Sequence, residues 1–218
     1  MMRTGFRIGE LLPGILLCAC CLLPAQQQEP GKARADARAQ TQLPAQLDES
    51  GQFAVEGRSV AYRIRRLPVN SFPDLPAAFQ KQLEQRGCLI PQTYEAHAPE
   101  NVVHASLERA GASDWAVLCS SQGKVSLLVY FASAPSQLLV LSTAVETERL
   151  QAHDPSGVLG FNWGIDPASP ERVRDAQAGL EPRPPSIDHD ALADVIVEGL
   201  TIYHYYSKDA WTLLDLPN

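Results

Sequence analysis

Two apolar runs, Asp114-Trp-Ala-Val-Leu-Cys119 and Lys124-Val-Ser-Leu-Leu-Val-Tyr-Phe131, flank Ser120-Ser-Gln-Gly123. Their β-branched and aromatic residues suit a pleated surface, and the glycine-containing break between them suits a tight turn, so the stretch reads as a β-hairpin. Ser133-Ala-Pro-Ser136 turns the chain again, into Leu138-Leu-Val-Leu141. Three strands with short connections form an antiparallel meander, and this meander is the expected centre of a sheet.

Outward from it, the elements alternate between strands and two helices. In Ser59-Val-Ala-Tyr-Arg-Ile-Arg65, Val60, Tyr62 and Ile64 fall on one face and Arg63 and Arg65 on the other, the period of a strand. Asp74-Leu75-Pro76 opens a helix with Asp74 as its expected cap, Leu75, Phe79 and Leu83 as its buried stripe and Gly87 as its stop. Val103, Ala105 and Leu107 alternate with polar neighbours, and Val158–Phe161 is a short apolar run. Ser169-Pro170-Glu171 starts a second helix, with a capping serine, proline at the first helical position and an acid in the first turn. It ends near Gly179, before the proline-rich loop of residues 181–186. Asp194–Val197, Leu200–Tyr206 and Ala210–Leu214 make a closing meander. The expected class is α+β: antiparallel meanders with two packed helices in a single domain over residues 51–218.

The N-terminus predicts a destination. Arg3 and Arg7 precede an apolar run from Leu11 to Ala25, broken by Pro13 and followed by Gln26-Gln-Gln-Glu-Pro. A basic start, a short apolar core and a small-residue exit mark a secretory signal peptide over residues 1–25. The run is shorter than the roughly 17–25 residues a spanning helix needs. Two cuts are open. Leu17-Cys-Ala-Cys20 resembles the lipobox of bacterial lipoproteins, which implies lipid attachment at Cys20, and the rival is ordinary cleavage after Ala25. Residues 26–50, rich in Gln and Ala, carry few large apolar side chains and read as a flexible linker. Of five cysteines, only Cys88 and Cys119 lie outside the leader. In the oxidising compartment that export implies, these two form one disulfide.

The chain carries 18 Lys and Arg against 25 Asp and Glu, a formal net charge of −7. Nucleic-acid binders cluster basic residues, so no nucleic-acid partner is expected. The five histidines join no H-E-x-x-H, C-x-x-C or G-x-S-x-G pattern. The one carboxylate cluster with ligand-like spacing is Asp188, Asp190 and Asp194. Oxygen donors at alternating loop positions can surround a hard cation such as Ca²⁺, which takes 6–8 of them. Set as Ser186-x-Asp188-x-Asp190-Ala191-x-x-Asp194 before Val-Ile-Val, the cluster resembles the aspartate loop of FG-GAP and VCBS repeats, which implies bound calcium. Ala191 stands in the usual glycine place, and Ser186 in that of the first acid, which favours the other reading of these acids, as caps of turns and strand entries with no cofactor. A second, poorer copy runs Ser106-x-Glu108-x-Ala110-Gly111-x-x-Asp114. Two units are too few for a propeller.

The stretch from Gly87 to Ser120, with its Asp114-Trp-Ala-Val-Leu-Cys-Ser motif, and the terminal stretch from Ile187 to Leu214 are similar to segments of a family of exported bacterial proteins. That resemblance implies one small domain and lends no activity. The expected function is therefore a non-enzymatic exported binding protein of the periplasm or cell envelope, touching the membrane only through a lipid anchor. Its contact surface would be the acidic loop or the aromatic group Tyr203, Tyr205 and Trp211. The alternative is a hydrolase of an envelope polymer using Asp188, Asp190 or Glu108 as acid and base.

Overall fold

The structure, a computed structural model, describes residues 47–215. The leader, Cys20 and most of the expected linker lie outside the described residues. The chain runs β1 (Leu47–Val55), β2 (Arg58–Pro68), α1 (Ala77–Gln85), β3 (Leu89–Gln92), β4 (Val102–Ala105), β5 (Asp114–Ser121), β6 (Lys124–Tyr130) and β7 (Leu138–Val145). It continues through β8 (Leu150–Ala152), β9 (Leu159–Phe161), β10 (Trp163–Ala168), α2 (Pro170–Ala176), β11 (Ala191–Ile196), β12 (Thr201–Ser207) and β13 (Ala210–Asp215). The protein is α+β, with two antiparallel meanders and two helices, as the sequence predicts.

Nine strands form one sheet in the order β7-β6-β5-β3-β2-β9-β8, with β1 added beside β2 and β4 beside β5. Every pair in it is antiparallel except β2 with β9. The second sheet is the meander β10-β11-β12-β13. Three apolar clusters define four layers. Leu118, Leu127 and Val129 of the large sheet pack on Trp163, Ile165 and Leu192 of the small one. On the far side of the large sheet, Phe79 and Leu83 of α1 cover Val117, Cys119, Leu128 and Tyr130. On the far side of the small sheet, Val173 of α2 covers Ala191, Ala193, Tyr203 and Tyr205. The order is helix, sheet, sheet, helix.

Cys88 and Cys119 are bonded, with Cα atoms 5.1 Å apart, and tie the end of α1 to β5. A disulfide places the folded domain in an oxidising compartment. No helix among the described residues is long and apolar enough to cross a membrane.

Two expectations need correction. Asp74 does not cap α1: the N-cap is Pro76, with no side-chain cap. An Asp74 cap would put Leu75 in the helix directly before a proline, where the ring disfavours helical backbone. Ser169 does cap α2, accepting from the Arg172 N–H at 3.3 Å. The second correction concerns residues 47–50, assigned to the linker by composition but forming the start of β1. This strand is held by cross-strand polar pairs rather than by burial. Asp48 pairs with Arg63, and Glu49 accepts from Tyr62 Oη at 3.0 Å and Arg66 Nη1 at 2.8 Å.

Arg66 is the hub of the only buried ion pair between Arg and Glu among the described residues. Its Nη2 lies 2.6 Å and its Nε 3.2 Å from the two oxygens of Glu146, whose Oε1 also accepts from Ser120 Oγ at 2.6 Å. Arg66 is 6 % and Glu146 5 % exposed. Burial alone lowers the Arg66 pKa, but Glu146 and Glu49 outweigh it and raise it. Burial likewise pushes the Glu49 carboxyl up, yet the Arg66 charge and the bonds from Tyr62 and Arg66 hold it below its ordinary value.

Removing one partner of a buried pair strands the other charge, at a cost of about 3–5 kcal/mol. Glu146→Ala is therefore expected to lower the unfolding free energy by that amount in urea titrations. Cys119→Ala, which opens a loop with a separation of 31 residues, should cost about 3–4 kcal/mol in the chain-entropy model. Glu49, with its depressed folded pKa, stabilises above the ordinary glutamate range and loses that contribution as pH falls through the folded value. Stability measured from pH 7 to pH 3 should consequently fall less steeply in Glu49→Gln than in the wild type.

Candidate functional site

The residues marked by the sequence separate in space. Asp194 is not a loop residue: it sits in β11 with its side chain turned inward, 7 % exposed. Its Oδ1 accepts from Trp163 Nε1 at 2.6 Å, and its Oδ2 lies 3.1 Å from His204 Nε2. Asp190 Oδ2 accepts from the Ser106 N–H at 3.0 Å, and the Asp190 N–H donates back to the Ser106 carbonyl at 3.0 Å. Asp188 is exposed and meets His189 Nδ1 at 3.0 Å. That bond to His189 holds the Asp188 carboxyl below its ordinary value. The three carboxylates do not converge, and no metal-holding group of three His, Cys, Asp or Glu side chains occurs among the described residues. Ala191 in place of glycine lets the chain enter β11 immediately after Asp190, which carries Asp194 away from the other two.

The poorer copy is a backbone brace as well. Asp114, fully buried, accepts from the Glu108 N–H at 2.8 Å and the Ala132 N–H at 3.0 Å. Glu108 accepts from Ser133 Oγ at 2.7 Å and Arg109 Nη1 at 2.8 Å. Each acid ends on a hydrogen bond that closes a turn or joins two loops.

The aromatic group is not one surface. Successive residues of a strand face opposite sides, so Tyr203 and Tyr205 point toward α2 and are 7 % and 6 % exposed. Trp211 packs on the other side, stacked on Phe131 at 5.9 Å and edge-on to Tyr206 at 5.5 Å. These side chains seal two cores, and the expected contact surface formed by Tyr203, Tyr205 and Trp211 is absent.

A groove of about 580 Å³ lies elsewhere, between the turn ahead of α1 and the β4–β5 pair. Phe72, Asp74, Leu75, Pro99 and His104 line it, with Trp115 beneath. His104 and Trp115 are register partners across β4 and β5. Their rings stack at 4.3 Å and 10°, and His104 Nε2 is fixed by Ser113 Oγ at 2.7 Å. The exposed imidazole is thereby held flat as one wall of the groove. Ser71 also lines it, and the Ser71 hydroxyl is buried without a partner among the described residues. A buried hydroxyl left unbonded costs about 1–3 kcal/mol, and Tyr94 Oη and Ser142 Oγ share that state among the described residues.

A second recess of about 450 Å³ is bordered by Arg63, Arg65, Tyr94 and His153. Tyr94 stacks on His153 at 4.5 Å over Gly160, where a Cβ would come within 2.6 Å of Tyr94 Cβ. Only glycine fits there. The arginines of this recess are already engaged, Arg63 by Asp48 and Arg65 by the carbonyls of Thr93 and Ala96. The first groove is the larger of the two and presents the exposed, stacked His104 ring beside Asp74, which makes it the better ligand site.

In the sequence, Asp74 passed as a helix cap and His104 as one of five scattered histidines. A signal for the pair was present: His104 falls on the wet face of a strand beside Val103, and strand pairing puts an aromatic opposite it. Comparison with known proteins adds no assignment, since no family model, no curated protein and no solved structure matches the chain.

If the acids serve as internal braces, their loss shows in stability. Asp194→Ala removes two buried bonds and strands Trp163 Nε1 and His204, and is expected to cost about 2–5 kcal/mol. Asp188→Ala, at an exposed position, should change stability by less than about 0.5 kcal/mol. Thermal melts of both variants, with and without calcium, check this; a calcium-dependent rise lost in both would support a shared ion site instead.

Proposed function

We propose that the protein is an exported, non-enzymatic binding protein of the periplasm or cell envelope, and that its ligand sits in the groove between Phe72 and His104. The observation that carries this reading is the groove's mixed wall. It sets a fixed imidazole ring and Phe72 beside the Asp74 carboxylate and the Ser71 hydroxyl, which has no partner among the described residues. Such a surface suits an amphipathic ligand with one flat apolar side and hydrogen-bond donors for Asp74. It repels polyanions, in keeping with the chain's net charge of −7. Export rests on Arg3, Arg7 and the apolar run to Ala25, together with a disulfide that needs an oxidising compartment. A lipid anchor at Cys20 would hold the domain to a membrane, with residues 26–46 as the tether.

The hydrolase alternative draws less support from the arrangement of its carboxylates. Glu108 and Asp190 are committed to Ser133, Arg109 and Ser106, and Asp188 stands in solvent beside His189. Binding therefore remains the better reading.

Amide chemical-shift mapping with a library of small amphipathic cations, aromatic amines and sugars tests it. Ligands that bind should perturb Phe72, His104 and Trp115 together, and Phe72→Ala with Asp74→Asn should weaken them at least about tenfold, or 1.4 kcal/mol. Binding that maps to other surfaces, or that survives both substitutions, overturns the assignment.

A further inference from the structure

The β1–β2 hairpin turns through Glu56 and Gly57, both at positive φ (49° and 77°). This two-residue turn closes on Val55 paired with Arg58. In such a hairpin the closing pair exchanges hydrogen bonds, and alternate residues follow suit. Phe53 and Gly51 therefore bond to β2, while Ser50, Gln52 and Ala54 direct their N–H and C=O groups to the opposite edge. Among the described residues no strand pairs with that edge.

Natural edge strands are kept from pairing by lysine, proline, a bulge or a cover. Residues 50–55, Ser-Gly-Gln-Phe-Ala-Val, contain neither a charge nor a proline, the two acids of the strand, Asp48 and Glu49, are paired with Arg63 and Arg66 of β2, and β1 pairs with β2 without a register shift. Leu47 and Val55, at the two ends of the strand, are 48 % and 37 % exposed, unusual for large apolar residues. The Tyr62 ring lies over Gly51 so closely that a Cβ there would meet it at 2.8 Å. The middle of the strand thus has no side chain of its own and is covered by an aromatic ring from β2.

We infer that a second copy of this chain pairs with β1, antiparallel to it and centred on Gly51. Full overlap of the strand selects this register. It sets Leu47 against Val55 of the second copy at both ends, so each exposed apolar residue is covered. Ser50 falls opposite Gln52 of the second copy, and both already point their backbone groups across the seam. Asp48 meets Ala54 and Glu49 meets Phe53, so no like charges oppose one another. Two large sheets join into one through the twofold axis, with Gly51 against Gly51 at its centre.

The test uses the exported mature protein. Sedimentation velocity across a concentration series should show a monomer–dimer equilibrium. Hydrogen exchange should show protection at the Ser50, Gln52 and Ala54 amides that rises with protein concentration. Gln52→Pro removes an N–H that faces away from β2, as proline is tolerated on edge strands, and is expected to abolish the dimer. Gln52→Ala keeps that N–H and should keep the dimer. A wild-type protein that stays monomeric, a dimer that persists in Gln52→Pro with intact circular dichroism, or protection independent of concentration each overturns the proposal. Should Gln52→Pro fail to fold, the wild-type exchange data decide alone.

Discussion

The central hairpin has no face for water. β5 is buried at every residue from Asp114 to Ser120, and β6 is buried at every position from Leu127 to Tyr130. A strand with one wet face needs one covering layer, but these two need one on each side. The four-layer order follows from that. One side is covered by α1, with the disulfide fixing its end against Cys119. The other side is covered by the second sheet, whose own outer face then requires α2. The two helices are short, at 9 and 7 residues, and such helices are held by packing rather than by their own propensity.

Burying a hairpin this deeply leaves loops crossing its ends, and their backbone groups have lost water. The acids meet this need. Asp114 takes two N–H groups where β5 begins, Asp190 joins the loop ahead of β11 to the one after β4, and Asp194 satisfies the indole N–H of fully buried Trp163. Ligand-like spacing in the sequence thus reflects the spacing of turns and strand entries. Asp is favoured at such positions because its short side chain reaches neighbouring backbone donors. The same economy shapes the groove, where His104 is pinned by stacking on Trp115 and by Ser113, leaving its outer face fixed and accessible.

Much of the architecture was legible. The β5–β6–β7 and β11–β12–β13 meanders, the buried Phe79 and Leu83 of α1, the Ser169 cap and the disulfide all follow from local period or local chemistry, while Leu75 is buried ahead of the helix rather than in it. The elements that sequence reading passes over are those held by distant partners. β3 is only four residues long and β8 and β9 three each, too short for a period to register. β1 is polar and depends on Arg63, Tyr62 and Arg66 across the hairpin. Arg66 itself carried a clue, since it shares strand parity with Tyr62 and Ile64 and so brings a charge to the buried face. Its partner Glu146 lies 80 residues away, beyond any local pattern. The groove was hidden for the same reason: Phe72 and Asp74 belong to one loop, His104 and Trp115 to two strands, and only the sheet brings them together.

If double-sided burial of β5 and β6 organises the molecule, these strands are the last to open. Native-state hydrogen exchange in increasing denaturant measures this directly. Amides of Val117, Leu118, Leu127 and Leu128 should exchange only with global unfolding, with the full denaturant dependence of the whole domain. The small sheet and β1 should open at lower free energy. Exchange of the β5 and β6 amides by local opening, while β10–β13 stay protected, would contradict the central role given to this hairpin.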